Sequence, residues 1–410
     1  MQTQPAPSNV GGVLLPQPFK IRRLGHFGLH VKDLHRAVAF YCGLLGFRIC
    51  DTPENLTLVM PPEALEGVSV GGYWLHHGTD HHSFALFEEG LMENLKRLDV
   101  PRERRRGQTT ANQISWQVGS LAEVVNGHRY FQETEVPIRR VGRDMPGSNW
   151  HVYSFDPDGH VNELFYGMEQ LGWQRRSKPA AMCRGLSEVP SIPQISEETE
   201  LQQAEEQGVD VSAGYRSRDD ALPAKYDVEG VLLPRPFKVT KVGPVHLFVP
   251  DVDRSVRFYT DRMGFKATEE AEYRGHRVVF LRCGTEHHSL GLFPRALQRE
   301  LATRPDTTVL AFGLEVGSYQ QLRGAVSFLK ENGVAIKELP AELHPGIDYA
   351  AYAQDPEGHL LLLYYYMEQV GWNGQPRPSA LRRPVLTQWP EALEPLSDTY
   401  ADQTFQGPLG

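Results

Sequence analysis

The second half of this chain repeats the first half, block by block. Five stretches of similar sequence occur in the same order in both halves; GVLLPQPFKI opens the first copy and GVLLPRPFKV opens the second. The matched blocks are residues 12–21 with 230–239, 31–47 with 249–265, 78–87 with 284–293, 118–120 with 316–318, and 156–173 with 355–372. Five ordered matches predict that the chain forms the same fold twice.

The repeat sets the predicted domain boundaries. The first domain spans 12–173 and the second spans 230–372. Residues 174–229 are rich in Pro, Ser and charge, which is typical of a linker that lies on the surface, and their acidic stretch at 196–207 suits a short exposed helix. The Pro-rich tail at 373–410 is expected to wrap a domain or a neighbouring subunit, so we expect a homo-oligomer.

The composition excludes several classes of protein. Apolar residues make up 40% of the 410 residues and charged residues 23%, as in ordinary folded domains. A net charge of −9 argues against nucleic acid as a partner. There is no apolar run of the roughly 18 residues that a membrane span needs, and no secretory signal at the N-terminus. Four separated cysteines without CxxC spacing favour reduced thiols and a cytoplasmic location.

Each predicted domain contains the same local pattern twice. HFGLHV, at 26–31, alternates as a strand with His26 and Gly28 on one face. A helical pattern follows from Asp33, whose charge suits a helix N-terminus, and short β-rich stretches follow the helix. The same succession starts again at NQISWQV, residues 112–118. Strand, helix and several strands, four times in the chain, predict an α+β protein with mixed sheets curved around pockets.

Three segments of the first domain resemble a known family. They are LGHFGLHVKDLHRAVAFYCGLLGF at 24–47, GTDHHSFALF at 78–87 and YSFDPDGHVNE at 153–163. They resemble the vicinal oxygen chelate superfamily and, within it, the two-domain type I extradiol ring-cleavage dioxygenases. The resemblance implies paired βαβββ modules that form a cup in each domain, with one divalent metal ion in an active cup.

The resemblance also implies a set of metal ligands. The family holds iron(II) with two histidines and one carboxylate, which leaves coordination positions open for a catecholate and O2. By position, the first histidine is His26 and the carboxylate is Glu163. The position of the second histidine is Gln113, whose neutral amide oxygen should weaken iron binding or favour a harder ion. The expected cofactor is therefore Fe2+, with Mn2+ or another divalent ion as the alternative.

Three further residues are candidates for catalysis. His82 matches the family's acid–base histidine, and imidazole titrates near neutral pH. Tyr153 matches a tyrosine that hydrogen-bonds a substrate oxygen. His151 lies two residues earlier on the same strand face, so it either supplies the missing imidazole or acts on the substrate. Another family histidine corresponds to Asp144. We expect five other histidines at the surface or in packing: His30, His35, His76, His77 and His81. A basic run at 102–106 suits a solvated loop or, alternatively, attraction of an anionic substrate.

The second domain serves as an internal control. The four residues that match His26, Gln113, His151 and Glu163 are Pro244, Ala311, Ala350 and Leu362. None of them can hold a metal ion. His288 and Tyr352 still match His82 and Tyr153, so a histidine and a tyrosine at these places do not by themselves indicate chemistry. The four polar residues found only in the first domain are more informative, because the repeated fold does without them. The family usually carries its metal in the C-terminal domain, whereas here the N-terminal domain is the candidate.

Three functions follow from the resemblance. The first is an extradiol-type dioxygenase that cleaves the ring of a small catecholic substrate with O2 at a non-haem iron(II) site. The second is a glyoxalase-like isomerase or lyase that uses a redox-inert metal, which Gln113 favours. The third is a protein that binds an aromatic ligand without catalysis, which the ligand-free second domain suggests.

Overall fold

The computed structural model describes residues 7–51, 54, 58, 60–99, 109–145, 147, 149–371 and 373–394. They divide into two compact units: the first consists mainly of the chain up to Asp219, and the second mainly of the chain from Asp220. Each unit is built on one large curved mixed sheet with helices beside it. The α+β class predicted from the sequence is therefore confirmed.

The first unit contains eleven described strands and four described helices. The strands are β1 (Ser8–Val10), β2 (Val13–Leu15), β3 (Ile21–Val31), β4 (Arg48–Ile49), β5 (Gly72–His76), β6 (Phe84–Glu88), β7 (Ala111–Val118), β8 (Ile138–Asp144), β9 (Trp150–Phe155), β10 (Val161–Tyr166) and β11 (Gly185–Leu186). The helices are α1 (Leu34–Gly43), α2 (Glu89–Asp99), α3 (Leu121–Glu133) and α4 (Glu197–Glu206).

Two βαβββ modules lie side by side in this unit. The sheet order is β11-β8-β9-β10-β7-β3-β6-β5-β4. The first module is β3-α1-β4-β5-β6 and the second is β7-α3-β8-β9-β10. They meet where β3 and β7 pair antiparallel at the centre of the sheet. The paired modules that the family resemblance implied are thus present.

The second unit has the same plan. Its strands are β12 (Tyr226–Val228), β13 (Val231–Leu233), β14 (Val239–Val249), β15 (Lys266–Tyr273), β16 (His276–Arg282), β17 (Leu290–Pro294), β18 (Val309–Val316), β19 (Ile336–Lys337), β20 (Ala350–Gln354) and β21 (Leu360–Tyr364). Its helices are α5 (Val252–Asp261), α6 (Gln298–Leu301) and α7 (Tyr319–Glu331). The sheet order is β15-β16-β17-β14-β18-β21-β20-β19, with β14 and β18 antiparallel at its centre.

The repeated VGS sequence marks a strand end and a helix start. In the first unit Val118 ends β7, and Ser120 caps α3 by accepting a hydrogen bond from the Glu123 backbone N–H at 3.3 Å. In the second unit Ser318 caps α7 in the same way, through the Gln321 N–H at 3.3 Å. A serine N-cap satisfies a backbone donor that the first turn of a helix leaves open.

The segment between the repeats carries structure of its own. Helix α4 forms where the acidic stretch was expected to be helical; most of it is exposed, but Glu200 and Ala204 are buried. Strand β11 pairs antiparallel with β8 and extends the first sheet. At this edge Gly142 is required, because a Cβ there would lie 1.9 Å from the Leu186 carbonyl oxygen.

Glu200 holds this segment to the sheet. Its carboxylate accepts from Arg143 at 2.8 and 3.0 Å and from Lys178 at 3.0 Å, and all three side chains are largely buried. Burial alone raises the pKa of Glu200, but Arg143 and Lys178 outweigh burial and lower the pKa to about 2.

Replacing Glu200 with alanine should destabilise the first unit. The Glu200→Ala change leaves two buried cations without their shared partner, so we expect a loss of about 2 kcal/mol, below the value for a fully buried pair. Urea unfolding measures this loss. The control is Glu205→Ala on the exposed side of α4, which should change stability by less than about 0.5 kcal/mol. If both variants changed stability equally, Glu200 would not be the residue that holds this segment to the sheet.

Two expectations concern the chain as a whole. Within the described part of the chain, none of the helices has the length and apolar character needed to cross a membrane. The four cysteines are free thiols, as their spacing predicted.

Candidate functional site

A row of side chains crosses the first sheet. Cross-strand pairing places His26 on β3 opposite Ser115 on β7, Ser115 beside Glu163 on β10, Glu163 opposite Tyr153 on β9, and Tyr153 opposite Arg140 on β8. Directly paired residues point to the same face of a sheet. Five strands therefore place their side chains on one surface, although His26 and Glu163 stand near opposite ends of the domain sequence.

The His26 imidazole and the Glu163 carboxylate are in contact. His26 Nε2 lies 2.9 Å from Glu163 Oε2, and both side chains are fully buried. The same oxygen accepts from Ser115 Oγ at 2.5 Å, and Oε1 accepts from Asn149 Nδ2 at 2.8 Å. Burial alone raises the pKa of Glu163, but His26 and Ser115 more than offset burial and hold the pKa below its usual value. The site therefore contains an ionised carboxylate that is deeply buried.

Packing at a bulge fixes the His26 ring. The pairing of β3 with β7 shifts register between Leu24 and His26, which leaves Gly25 as the extra residue. The Phe165 ring occupies the space that a Gly25 side chain would fill, and its centroid lies 4.9 Å from the centroid of His26. Nδ1 of His26 is buried and has no hydrogen-bond partner among the described residues.

A methyl group at Gly25 should disturb this arrangement. The new Cβ would lie 2.3 Å from Phe165 Cζ, so Gly25→Ala forces the Phe165 ring, and with it His26, to move. Overpacking of this kind costs about 1–3 kcal/mol. Denaturant unfolding measures the loss, and Gly43→Ala serves as the control, because nothing lies within 4 Å of a Cβ at that glycine. Equal stability of the Gly25 variant and the native chain would contradict the packing argument.

His82 and Tyr153 border a cavity of about 280 Å³ that also reaches His26. The rings of His82 and His26 lie 4.4 Å apart, centroid to centroid. Burial, together with His26 and His81, lowers the pKa of His82 well below its usual value. Burial, together with Glu163 and Asp144, raises the pKa of Tyr153 well above its usual value. Both groups are therefore neutral at neutral pH. The remaining wall has an apolar part, formed by Met60, Trp74, Phe87, Met92 and Leu95, and a polar part that includes Arg139, Arg140, Asp144 and Asn149.

His151 occupies a different place from His26. It is fully buried, its ring packs 4.4 Å from the ring of Tyr153, and its Nδ1 lies 3.8 Å from Glu163 Oε1, the carboxylate oxygen that does not contact His26. Burial is the main reason that its pKa falls to about 4. Its neutral ring thus supports Tyr153 and faces the second oxygen of the carboxylate.

Gln113 lies at the same cavity as His26. It pairs with Gly28 across β3 and β7, two residues from the pairing of Ser115 with His26, and its Oε1 lies 3.3 Å from Asn112 Nδ2. Among the described residues, no group of three or more His, Cys, Asp or Glu side chains is arranged to hold a metal ion. A metal centre here would therefore need the Gln113 amide or another neutral donor in addition to the imidazole and the carboxylate.

The contact between His26 and Glu163 fits a shared cation. Two donors that each lie about 2.1 Å from an ion, at a right angle, are about 3 Å apart. The observed separation is 2.9 Å. A buried imidazole, an ionised carboxylate and a nearby amide oxygen are ligands that divalent metal ions accept.

In the second unit the corresponding surface is filled. Ala311, Tyr352 and Leu362, which match Gln113, Tyr153 and Glu163, belong to a hydrophobic core that also includes Leu343 and Ile347. Leu343 and Ile347, which precede β20, pack in this core. Apolar packing has replaced the polar residues here.

Two contacts of Glu163 were missed by the sequence analysis. Ser115 stands two residues after Gln113, so strand alternation could have placed it on the same face. Asn149 lies in a loop, where no periodic pattern reveals the direction of a side chain. The basic run at 102–106 lies outside the described residues.

Comparisons with known proteins agree with the fold of both units. The family model described as the Glyoxalase/Bleomycin resistance protein/Dioxygenase superfamily matches residues 23–164 and 241–363, more than half of the chain. The catechol-2,3-dioxygenase of Bacillus subtilis (strain 168) is 22% identical over 271 residues, which are 66% of this chain and 73% of that protein.

Solved structures share the fold at low sequence identity. The Mn(II)-bound glyoxalase from Novosphingobium aromaticivorans matches with a TM-score of 0.51 and 18% identity, over 87% of this chain and 85% of that one. The 2,3-dioxygenase LapB from Pseudomonas sp. KL28 matches with a TM-score of 0.53 and 15% identity, over 89% of this chain and 96% of that one. Likenesses at this level of identity show the fold alone.

Proposed function

Because this chain belongs to the Glyoxalase/Bleomycin resistance protein/Dioxygenase superfamily, we propose that its first unit is an extradiol-type dioxygenase. Membership confirms the resemblance seen in the sequence. The proposed reaction uses O2 to break the ring bond beside the two hydroxyls of a small catecholic compound, so that the ring carbons are oxidised and O2 is reduced. The similarity to a catechol-2,3-dioxygenase over two thirds of the chain supports this reaction class.

The observation that carries the proposal is the contact between His26 and Glu163 at the cavity. In this proposal His26, Glu163 and Gln113 hold one divalent metal ion, most simply iron(II). Bound iron(II) would supply the redox chemistry that lets a catechol react with O2. Ser115 and Asn149 hold the carboxylate in one orientation through its two oxygens.

The other residues of the cavity bind the substrate and handle protons. The apolar wall formed by Trp74, Phe87 and their neighbours accepts an aromatic ring and excludes water. A neutral Tyr153 donates a hydrogen bond to a substrate oxygen from the far side of Glu163. A neutral His82 lies beside His26, where it exchanges a proton with a substrate oxygen. At about 280 Å³ the cavity is small, which favours a single-ring substrate.

The direct test is oxygen consumption. The protein is loaded anaerobically with iron(II), mixed with catechol, 3-methylcatechol or 4-methylcatechol, and then exposed to O2. With at least one of these compounds, we expect uptake of one O2 per molecule consumed and a yellow ring-opened product. Stoichiometric iron without O2 uptake across the whole panel would contradict the proposal.

Gln113 favours a second candidate function. A neutral oxygen donor suits a redox-inert ion, and the shared fold includes a Mn(II)-bound glyoxalase. The alternative is a glyoxalase-like isomerase or lyase. Elemental analysis of the protein as purified from cells distinguishes them, because iron supports the dioxygenase and Mn, Mg, Zn or Ni supports the alternative.

Introducing a histidine at Gln113 should shift metal preference. Gln113→His replaces a neutral oxygen donor with imidazole, so we expect iron(II) to bind about tenfold more tightly relative to Mn2+. Competitive metal titration measures the ratio. Ala311→His at the matching place in the second unit is the control, and it should add no metal site. An unchanged ratio would mean that residue 113 does not contact the ion.

A further inference from the structure

The first sheet has a second cavity, on the face opposite Glu163. Its volume is about 670 Å³, and it is lined by Trp150 of β9 and Tyr166 of β10, which pair with each other. Tyr166 is three residues from Glu163, so strand alternation turns their side chains to opposite faces of the sheet. Leu121, the first residue of α3, belongs to the same wall. Among the described residues, this cavity shares none of its lining with the one that borders His26.

The segment between the repeats forms the other wall of this second cavity. Ile192 and Ile195 line it and remain 51% and 53% exposed, so they border the space without filling it. Two charged residues of the lining, Arg143 and Glu200, are largely buried and bind each other at 2.8 and 3.0 Å. The Arg143 guanidinium also lies 5.8 Å from the centre of the Trp150 ring and holds that ring in place. Because these charges are paired, the cavity favours an uncharged ligand.

In the second unit an indole ring fills the matching place. Three residues there match Leu121, Trp150 and Tyr166 by position, and they are Tyr319, Tyr349 and Tyr365. The ring centroid of Trp389 lies 5.3 Å from that of Tyr349 and 6.3 Å from that of Tyr319. The Tyr319 hydroxyl also donates to the Pro390 carbonyl oxygen at 2.7 Å. The C-terminal segment is thus held with its tryptophan on this surface.

The segments that follow the two repeats begin alike. SKPAAMCR at 177–184 resembles PRPSALRR at 376–383, and each contains one turn of 3₁₀ helix at the same place. Counted from this match, Pro190 stands in the first unit where Trp389 stands in the second. The first unit therefore presents a surface of the kind that holds an indole ring, but its own segment brings a proline to that place.

We propose that the cavity beside Trp150 is a binding site for a small uncharged aromatic molecule, which takes the place that the Trp389 indole fills in the second unit. Trp150 and Tyr166 offer aromatic rings against which a flat ligand packs. The apolar side chains of both walls remove such a ring from water. The inference does not depend on the proposed dioxygenase reaction, since the cavity lies on the other face of the sheet. If the protein opens no catechol, the proposed function fails and this site is still tested by binding.

The first test locates the bound molecule, with indole as the probe. The full chain is labelled with 5-fluorotryptophan, and Trp150→Phe and Trp74→Phe identify two of its ¹⁹F NMR signals. We expect indole to shift the Trp150 signal to saturation with a Kd below about 1 mM, a modest affinity for about nine non-hydrogen atoms. The Trp74 signal reports on the other cavity, which Trp74 lines. A Trp150 signal that stays in place, with or without a shift of Trp74, would overturn the inference.

A charge on the apolar wall should weaken this binding. Leu121→Glu places a carboxylate in the cavity at a helix N-terminus, where a negative charge is well tolerated. We expect indole to bind at least about tenfold more weakly, because the probe would have to desolvate the new charge. The control is Leu98→Glu, which changes an exposed leucine on α2 and should leave the affinity unchanged. If Leu121→Glu does not fold, Ile195→Glu replaces it, and unchanged affinity in the variant used would overturn the inference.

The second unit allows the reverse experiment. Trp389→Ala removes the indole that fills the matching place, and Trp389 is partly exposed, so the fold should tolerate the change. Equilibrium dialysis with radiolabelled indole counts the molecules bound. We expect Trp389→Ala to bind one more indole per chain than the native protein, and Leu121→Glu to bind one fewer. No gain in Trp389→Ala would overturn the inference, because the surface would then not hold a free ring.

Phenol and cyclohexanol test the preference for an aromatic ligand. They are similar in size and each carries one hydroxyl, but only phenol is flat. We expect phenol to bind at least about threefold more tightly, measured by the Trp150 signal, because contacts between aromatic rings add to the effect of burial. Equal affinity of the two compounds would overturn the proposed class of ligand.

Discussion

Glutamine in place of Glu163 should leave the chain folded and remove its ability to retain a divalent metal ion. The substitution keeps the shape of the side chain and deletes the only negative charge in the proposed ligand set. Loss of a residue that merely supports a ligand typically costs 10- to 100-fold in metal affinity, so we expect a loss of at least about 100-fold here. After loading and dialysis, metal content should fall from one ion per chain to background, and catechol turnover should be lost with it.

The control for this variant is Glu315→Gln, which neutralises a partly buried carboxylate on β18 of the second unit. It should retain the metal. A buried ion pair between protonated His26 and Glu163 would give the same 2.9 Å contact without any metal. Full metal content in Glu163→Gln would therefore favour that ion pair and remove the basis of the enzymatic proposals.

Glutamine in place of His82 should lower turnover but leave the metal ion bound. His82 contacts His26 but is not among the proposed ligands, so metal content should stay at one ion per chain. Turnover should fall by about 10²- to 10³-fold, the usual range when a group that transfers a proton is removed. Oxygen uptake with iron-loaded protein and catechol measures kcat, and atomic absorption measures the metal in the same sample.

The repeat supplies the matched control. His288→Gln alters the corresponding histidine in the second unit, where the residues that match Gln113, Tyr153 and Glu163 belong to a hydrophobic core. It should leave kcat unchanged. If His82→Gln loses its metal, His82 belongs with the ligands; if it keeps both metal and turnover, the proton-transfer role is wrong.

Much of the fold could be predicted from the sequence, because the same order of strands and helix occurs in both halves of the repeat. Matched blocks with the same order of strands and helix indicated the paired modules in both halves. The domain in which to look for polar chemistry also followed, since Pro244 and Leu362 stand where His26 and Glu163 stand in the first copy.

The detailed surroundings of the candidate site could not be predicted. The register between β3 and β7 shifts at Gly25, and a bulge changes which residues face each other without leaving a clear pattern in the sequence. His81 was expected at the surface or in packing. His81 and His82 precede β6, so strand alternation does not separate them, and both rings turn toward each other in the interior.

His26, Ser115 and Glu163 lie in one row across three strands, so the candidate site forms only when these strands pair. These residues come from both modules, so neither module alone contains the pair. The two modules must join along β3 and β7 before the imidazole and the carboxylate can meet. A slip of one residue at that junction would turn one member of the pair to the opposite face. Pairing of the two modules in the correct register is thus the step that creates the proposed ion site.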